Sequence, residues 1–368
     1  MTGWYSAHVY YYDQKAVDDL ILDTVRPLLE EIGGTSYFGR HWLRGPHVRI
    51  HVRTTEEDWE GRVRPLIDAA VRDHLSERPS FFVPDLEREQ AVHRALAEME
   101  QEEGPLEPWY PDNSVQYLPY DKRLHVLGTE RASELVASFH TRTTPLAFAL
   151  LQERREDGDL FDSLLTMMFA SAHAACHPIT KGFLSYRSHA EGFLANCGDP
   201  DGLRLAFDQR YDAHRDALAE RMEAAIAFVD GDGTAADAPP HLATWVPIVR
   251  ALAVEAEELL EAGALTLPGR FAEADQEWTA QGTTISRFHR VLLENEEAVK
   301  ELDSAMWFAV YRVVLNMQYL LFSRLGVRPV ERFALCHLTA RTVEDRYDMP
   351  TGELSAFLAQ QARQAAGR

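Results

Sequence analysis

Cysteine is scarce: Cys176, Cys197 and Cys336 are the only three in 368 residues. An odd number at wide spacing, with no C-x-x-C pair, excludes a disulfide framework and points to a reducing compartment, the cytoplasm. Basic charge is also short, with 37 Lys and Arg against 58 Asp and Glu and a net charge of -21. Nucleic acid is therefore not the main partner, because phosphate binding needs a concentrated Lys/Arg surface. A single basic pocket is still allowed. There is no P-loop, no dinucleotide fingerprint and no other cofactor motif, so the chemistry is confined to side chains and no cofactor is expected. Long apolar runs are missing too. The strongest, Ser304 to Val327, contains Arg312, Asn316, Gln318 and Arg324, whereas a membrane span needs about 20 predominantly apolar residues. It reads as a buried core helix, and no membrane partner is expected. The opening Met-Thr-Gly-Trp-Tyr-Ser has no basic stretch followed by an apolar one, so no secretion signal is expected.

What is present is an ordinary globular composition, 46% hydrophobic and 26% charged, in a chain long enough for a large core. Trp4 to Tyr12 is aromatic and β-branched enough to predict a strand. Lys15 to Ile32 carries apolar residues at helical spacing and stops at Gly33-Gly34, as a helix C-cap does. Ser36 to Trp42 and His47 to Arg53 are two further strand-like runs joined by Arg44-Gly45-Pro46. Asp58 to His74 predicts an amphipathic helix, Glu98 to Asn113 an exposed acidic loop, and Val115 to Val126 a return to strand. From Glu130 onward the pattern is mostly helical, with breaks at Gly198 to Gly202 and at Gly231 to Pro240. The expected architecture is α+β, mostly helical, with an antiparallel sheet built from N-terminal segments. It is read as one domain over 1–368 with a flexible connection at 229–240.

Four constellations can carry chemistry. Arg40 to Arg53 (RHWLRGPHVRIHVR) holds four Arg and three His and no acid, in an otherwise acidic chain. If Val48, Ile50 and Val52 face the core, alternation puts Arg49, His51 and Arg53 together on the other face. That face suits an anionic or carbonyl-rich ligand, or is a solvated sheet face balanced by nearby acids. On the core helix, Arg312, Asn316, Tyr319 and Ser323 follow i, i+4, i+7, i+11 spacing and form one polar stripe. Buried polar groups need partners, so this stripe lines a cavity or joins a structural network. The segment Lys181 to Phe193 packs Arg187, Ser188 and His189 between apolar residues. Just before it, His173 and His177 have i, i+4 spacing, but no carboxylate motif accompanies them and Pro178 follows at once; no metal is expected. Finally, Ser286 and His289 have S-x-x-H spacing at a helix start, where Ser is an N-cap or a hydroxyl donor beside a base.

In order along the chain, the tyrosine-rich first strand, G-P-H-V-R-I-H-V-R, Y-L-P-Y-D-K-R and R-L-G-V resemble the elimination domain of lantibiotic dehydratases. S-Y-R-S-H-A-E-G-F is similar to the stand-alone thiopeptide branch of that superfamily. The resemblance covers most of the chain through short motifs and implies an elimination-domain-like fold. The departures separate the branches. The elimination domains are expected to carry G-P-H-[IL]-R-[LI]-R, P-E-x-x-R-Y-G-G and H-M-x-x-N-R. Here His51 stands for the second arginine, Tyr120 for the glutamate, and Tyr319 with Ser323-Arg324 for the histidine stretch, while Arg49 and Arg123 are kept.

Three elimination groups replaced together make the chain look like a thiopeptide pyridine synthase. The resemblance then implies a formal aza-cycloaddition between two dehydroalanines of a ribosomally made precursor, whose leader precedes a dehydrated, azole-containing core. Water and the leader peptide are lost as the pyridine and the macrocycle form, without a cofactor. On this view Tyr319 is the donor or acid, Ser286 holds the reacting amide, and His289 or His189 is the base. Arg49, Arg53, Arg123 and Arg187 orient carbonyls or the leader, with His51, Arg312, Asn316 and Ser323 completing the substrate-binding set. An active glutamate-elimination lyase and a non-catalytic leader-binding scaffold are the alternatives.

Overall fold

The computed structural model describes residues 2–102, 104–231, 238–267 and 282–349. The chain divides into two compact units, one of Met1–Asp159 with Leu320–Gly326 and one of Leu160–Tyr319 with the chain from Val327 onward. Half of the 229–240 connection, residues 232–237, lies outside the described residues.

The first unit is built on a four-stranded antiparallel sheet of β1 (Thr2–Tyr10), β2 (Thr35–His41), β3 (His47–Thr55) and β4 (Ser114–Pro119), in the order β2-β3-β1-β4. Alternation gives it two faces with different characters. Ala7, Val9, Phe38, Val48, Ile50 and Val52 fill one face and are at most 2% exposed. On the other, the register sets Trp4 opposite Arg53, Ser6 opposite His51, His8 opposite Arg49 and Tyr10 opposite His47. The expected strands and their alternation are therefore present. Helical turns from Val17 to Ile32 end at Gly33, whose φ of +65° a side chain resists.

Two local expectations fail. The Val115–Val126 strand stops at Pro119, which cannot donate to a ladder. Asp121 Oδ1 then accepts the Arg123 N–H at 2.8 Å, and Arg123 turns left-handed (φ +48°) before a short helix at Leu124–Leu127. The loop expected from Glu98 also begins later, because a helix, Leu86–Glu100, capped by Asp85, runs into it.

The second unit is helical throughout its described residues. Its core is α1 (Phe161–Ala175), in which every residue from Ser163 to His173 is buried. Packed with it are α2 (Ile179–Asn196), α3 (Pro200–Asp230), α4 (Leu242–Glu261) and α5 (Pro329–Arg346). Gly182 is a close crossing point: a Cβ there would lie 2.6 Å from the carbonyl oxygen of Ala172, so α2 rests on the α1 backbone. The break at Gly198–Gly202 is the α2–α3 junction, with Asp199 capping α3 through the Gly202 N–H. The long helix Met306–Arg324 carries Tyr319. Among the described residues no helix is long and apolar enough to cross a membrane.

Candidate active site

In the second unit, two hydroxyl–imidazole networks start from adjacent residues of α2. The His189 Nδ1 lies 2.7 Å from the Tyr319 hydroxyl, which in turn lies 3.3 Å from Cys336 Sγ on α5. The Ser188 hydroxyl lies 2.8 Å from His289 Nε2, whose Nδ1 is 2.8 Å from Ser286 Oγ. Ser286 is the N-cap of the helix Arg287–Leu293 and accepts the His289 backbone N–H at 3.2 Å. The cap and the side-chain contact with His289 coexist at Ser286. A Cβ on Gly192, one turn beyond Ser188, would stand 3.5 Å from His289 Cε1; small residues at this i, i+4 pair let the imidazole lie close to α2.

Burial governs the proton chemistry here. It pushes both His189 and His289 down to about 4, with Arg332 adding to the depression at His189. Burial also holds the Tyr319 phenol well above its usual range and lifts the Cys336 thiol to about 12. At neutral pH the cluster is thus two neutral imidazoles, a protonated phenol and a protonated thiol. Arg332 sits over the Tyr319 ring, 4.9 Å from its centroid, a cation placed to favour any negative charge that develops on that oxygen.

The polar stripe is less interior than its spacing suggests. Tyr319 and Arg312 are half-buried, but Asn316 and Ser323 are exposed. The fully buried polar residue of that helix is Gln318, which accepts the Tyr186 hydroxyl at 3.1 Å. The apolar positions around the stripe take the core, which leaves half of it on the surface. Arg187 is buried and held by Glu344 and Glu191, so its charge is committed within the fold. His173 and His177 lie with Asp230 in a group whose ligand atoms are within 4.8 Å of one another. Yet His173 Nδ1 accepts the Ile179 N–H at 3.2 Å, which leaves the ring hydrogen on Nε2, 2.9 Å from Asp230 Oδ1. No ring lone pair of His173 is left for a cation.

In the first unit, the Arg/His strand face is a desolvated cluster. His47 Nδ1 bonds the Gly45 carbonyl at 2.8 Å, which fixes its hydrogen there and leaves Nε2 to accept Arg49 Nε–H at 3.1 Å. This holds the Arg49 fork in place, and its two terminal nitrogens donate to no described residue. His51 Nδ1 meets Ser6 Oγ at 3.0 Å, and Ser6 also meets His8 Nε2 at 2.9 Å. Burial first, then the Arg49 charge, holds His8, His41, His47 and His51 well below the usual histidine range. Arg53, by contrast, is exposed and pairs with Glu134 at 3.0 Å, while Arg123 pairs with Glu102 at 3.1 Å. A cavity of about 320 Å³ walled by His93, Arg94 and Trp109 went unnoticed in the sequence.

Residues 4–343 match the family described as lantibiotic biosynthesis dehydratase, C-terminal. The chain belongs to that family. Among solved structures it is similar to TbtD, the pyridine synthase from thiomuracin biosynthesis, at 32% identity over 94% of this chain and 99% of that one, with a TM-score of 0.75. It is also similar to TsrL (23% identity, 95% and 96% covered, TM-score 0.64). The tRNA-dependent lantibiotic dehydratase MibB from Microbispora sp. 107891 shares the fold at 14% identity and a TM-score of 0.51, over 94% of this chain and 28% of MibB. No curated protein matches the chain.

Within the lantibiotic dehydratase C-terminal family, the elimination glutamate is expected where this chain has Tyr120. Tyr120 stacks on Trp4 at 5.2 Å between centroids, and its hydroxyl lies 2.9 Å from that of Tyr37. Burial raises both phenols, so this pair holds its protons where a carboxylate base would accept one.

Ser188, Arg332 and Cys336 are the site residues that sequence reading left unassigned. Ser188 had a signal in its adjacency to His189. Arg332 and Cys336 had none, because they reach Tyr319 only through the packing of α5.

Proposed function

We propose that this chain is a thiopeptide pyridine synthase. The observation that carries the reading is the 32% identity to the pyridine synthase TbtD across nearly the full length of both chains. The cluster around Tyr319 supports it chemically. A formal aza-cycloaddition of two dehydroalanines needs one amide in its imidic-acid form, an alkene held against the resulting aza-diene, and later loss of water and of the leader as a carboxamide. Each step is positioning and proton transfer.

In this reading Tyr319 donates to the amide oxygen and then to the departing water, with Arg332 favouring charge on the phenol oxygen and His189 returning the proton. Ser286 holds the reacting amide, and His289 relays through it. Arg49, with its fork directed by His47, takes carbonyls or a carboxylate of the modified precursor peptide; His51 and Arg123 line the same strand face or its margin. Arg53, Arg312, Asn316 and Ser323 are at most peripheral contacts, and Arg187 acts through the fold. Three free cysteines, two of them buried, fit work in a reducing cytoplasm.

Mass spectrometry on a synthetic leader-linked peptide carrying two dehydroalanines tests the proposal. Loss of the leader and water with a new pyridine absorbance is the expected result. Glutamate release from a glutamylated peptide would establish the elimination lyase instead, and tight leader binding with no mass change would establish a scaffold.

A further inference from the structure

The Ser188–His289–Ser286 chain holds more hydrogen-bond options than anchoring an amide requires. His289 is neutral at pH 7 and carries one ring hydrogen, yet both of its nitrogens are engaged by serines at 2.8 Å. One serine must therefore donate to the ring while the other accepts from it. Ser286 Oγ already accepts the His289 backbone N–H, so it has one lone pair and one hydrogen left to share between the ring and a ligand. With the ring hydrogen on Nδ1, Ser286 accepts it and is free to donate its own O–H to a ligand, while Ser188 donates to Nε2. With the ring hydrogen on Nε2, Ser188 accepts it, Ser286 donates to Nδ1, and Ser286 offers a ligand only its lone pair. Each arrangement satisfies both ring nitrogens and leaves one hydroxyl hydrogen over, on Ser286 in the first and on Ser188 in the second. Their hydrogen-bond counts are equal.

We propose that Ser188 is a positioning residue, the far end of a reversible proton relay that switches Ser286 from acceptor to donor without moving a heavy atom. The amide reaction makes that demand, and the inference rests on the reading of Ser286 as the residue that holds the reacting amide. An amide nitrogen donates a hydrogen bond before it becomes an imidic acid and accepts one afterwards. In the relay, the amide N–H bond breaks as the Ser286 O–H bond forms, and Ser286 passes its original hydrogen to Nδ1. Nε2 passes its hydrogen to Ser188, and Ser188, which is half-buried, releases its original proton to water. The amide oxygen receives its proton separately, from Tyr319, so the substrate gains as many protons as it loses. The relay ends with Ser286 donating to the nitrogen it has just deprotonated.

The test is nitrogen NMR of the histidine-labelled protein without substrate, combined with kinetics. In the wild type the two His289 ring nitrogens are expected to show shifts averaged between protonated and unprotonated forms. Ser188→Ala removes the far partner and should collapse the ring onto one tautomer; Ser188→Thr should restore the average, and Ser188→Cys, a weak donor of similar size, should fall between them. On a bis-dehydroalanine peptide, Ser188→Ala should lower kcat at least about tenfold with little change in KM and reduce the solvent isotope effect. A single wild-type tautomer that Ser188→Ala leaves unaltered would overturn the relay. Averaged shifts that collapse in Ser188→Ala, in a protein that turns over no such peptide, would uphold the relay and sink the pyridine synthase reading.

Discussion

The strand face of the first unit and the α2 cluster of the second both bury imidazoles, and His47 of the first is used in the opposite way to His189 and His289 of the second. On the strand face, His8, His41, His47 and His51 surround one guanidinium. His47 has its tautomer fixed by the Gly45 carbonyl and aims the Arg49 fork, while His8 and His51 share the Ser6 hydroxyl. In the α2 cluster each imidazole faces a hydroxyl that can donate or accept. The contrast between His47 and the α2 imidazoles lies in the partner atom. A carbonyl or guanidinium permits one polarity, whereas a hydroxyl permits two. The first arrangement suits recognition, and the second suits proton movement.

The sharpest way to break this comparison is Tyr319→Phe, which keeps the ring and removes the hydroxyl. Turnover of a bis-dehydroalanine peptide should fall by about 10² or more, with peptide affinity by fluorescence anisotropy nearly unchanged; normal turnover would remove Tyr319 from the chemistry. Arg49→Lys loses the fork but keeps the charge. It should raise KM about tenfold and leave kcat close to wild type, and a loss confined to kcat would move Arg49 from recognition to catalysis.

Acid separates the two regions further. A buried neutral histidine with a lowered folded value is protonated more readily in the unfolded chain. Its stabilising contribution is therefore complete above the unfolded value, near 6.5, and declines as pH falls toward the folded one. His189, His289 and His337 stand at about 4, and burial with the Arg49 charge holds the four strand-face rings low as well. Between pH 7 and pH 5 each such ring loses a similar amount, so with four on the strand face against three in the second unit, hydrogen exchange should show the strands losing protection before α1 and α2; the reverse order would contradict this account of the burial energetics. The smallest effect belongs to Arg53→Ala, because the Arg53–Glu134 pair is exposed on both sides. We expect under about 1 kcal/mol by denaturant melting, and a larger loss would make Arg53 part of the folded strand-face network.

Much of the first unit was legible in the sequence because its signals are local. Alternation in Val48-Arg49-Ile50-His51-Val52 sets which side chains share a face, and Gly33-Gly34 ends the first helical stretch. The β4 boundary was misread because Pro119 and the Asp121–Arg123 turn override the apolar pattern that runs on to Val126. The stripe on Met306–Arg324 was visible as a spacing, but spacing does not say which residue is covered; Gln318 is buried while Asn316 is exposed.

By itself the sequence determined the α+β class and the family likeness, since each is written in residue identity or short-range periodicity. Tertiary structure decided that Ser188 answers to His289 across 101 residues and His189 to Tyr319 across 130. It also decided that Arg187 is tied to Glu344. Those pairings depend on how α2 is seated against its neighbours, with Gly182 on the α1 backbone, and no pattern along the chain encodes that seating.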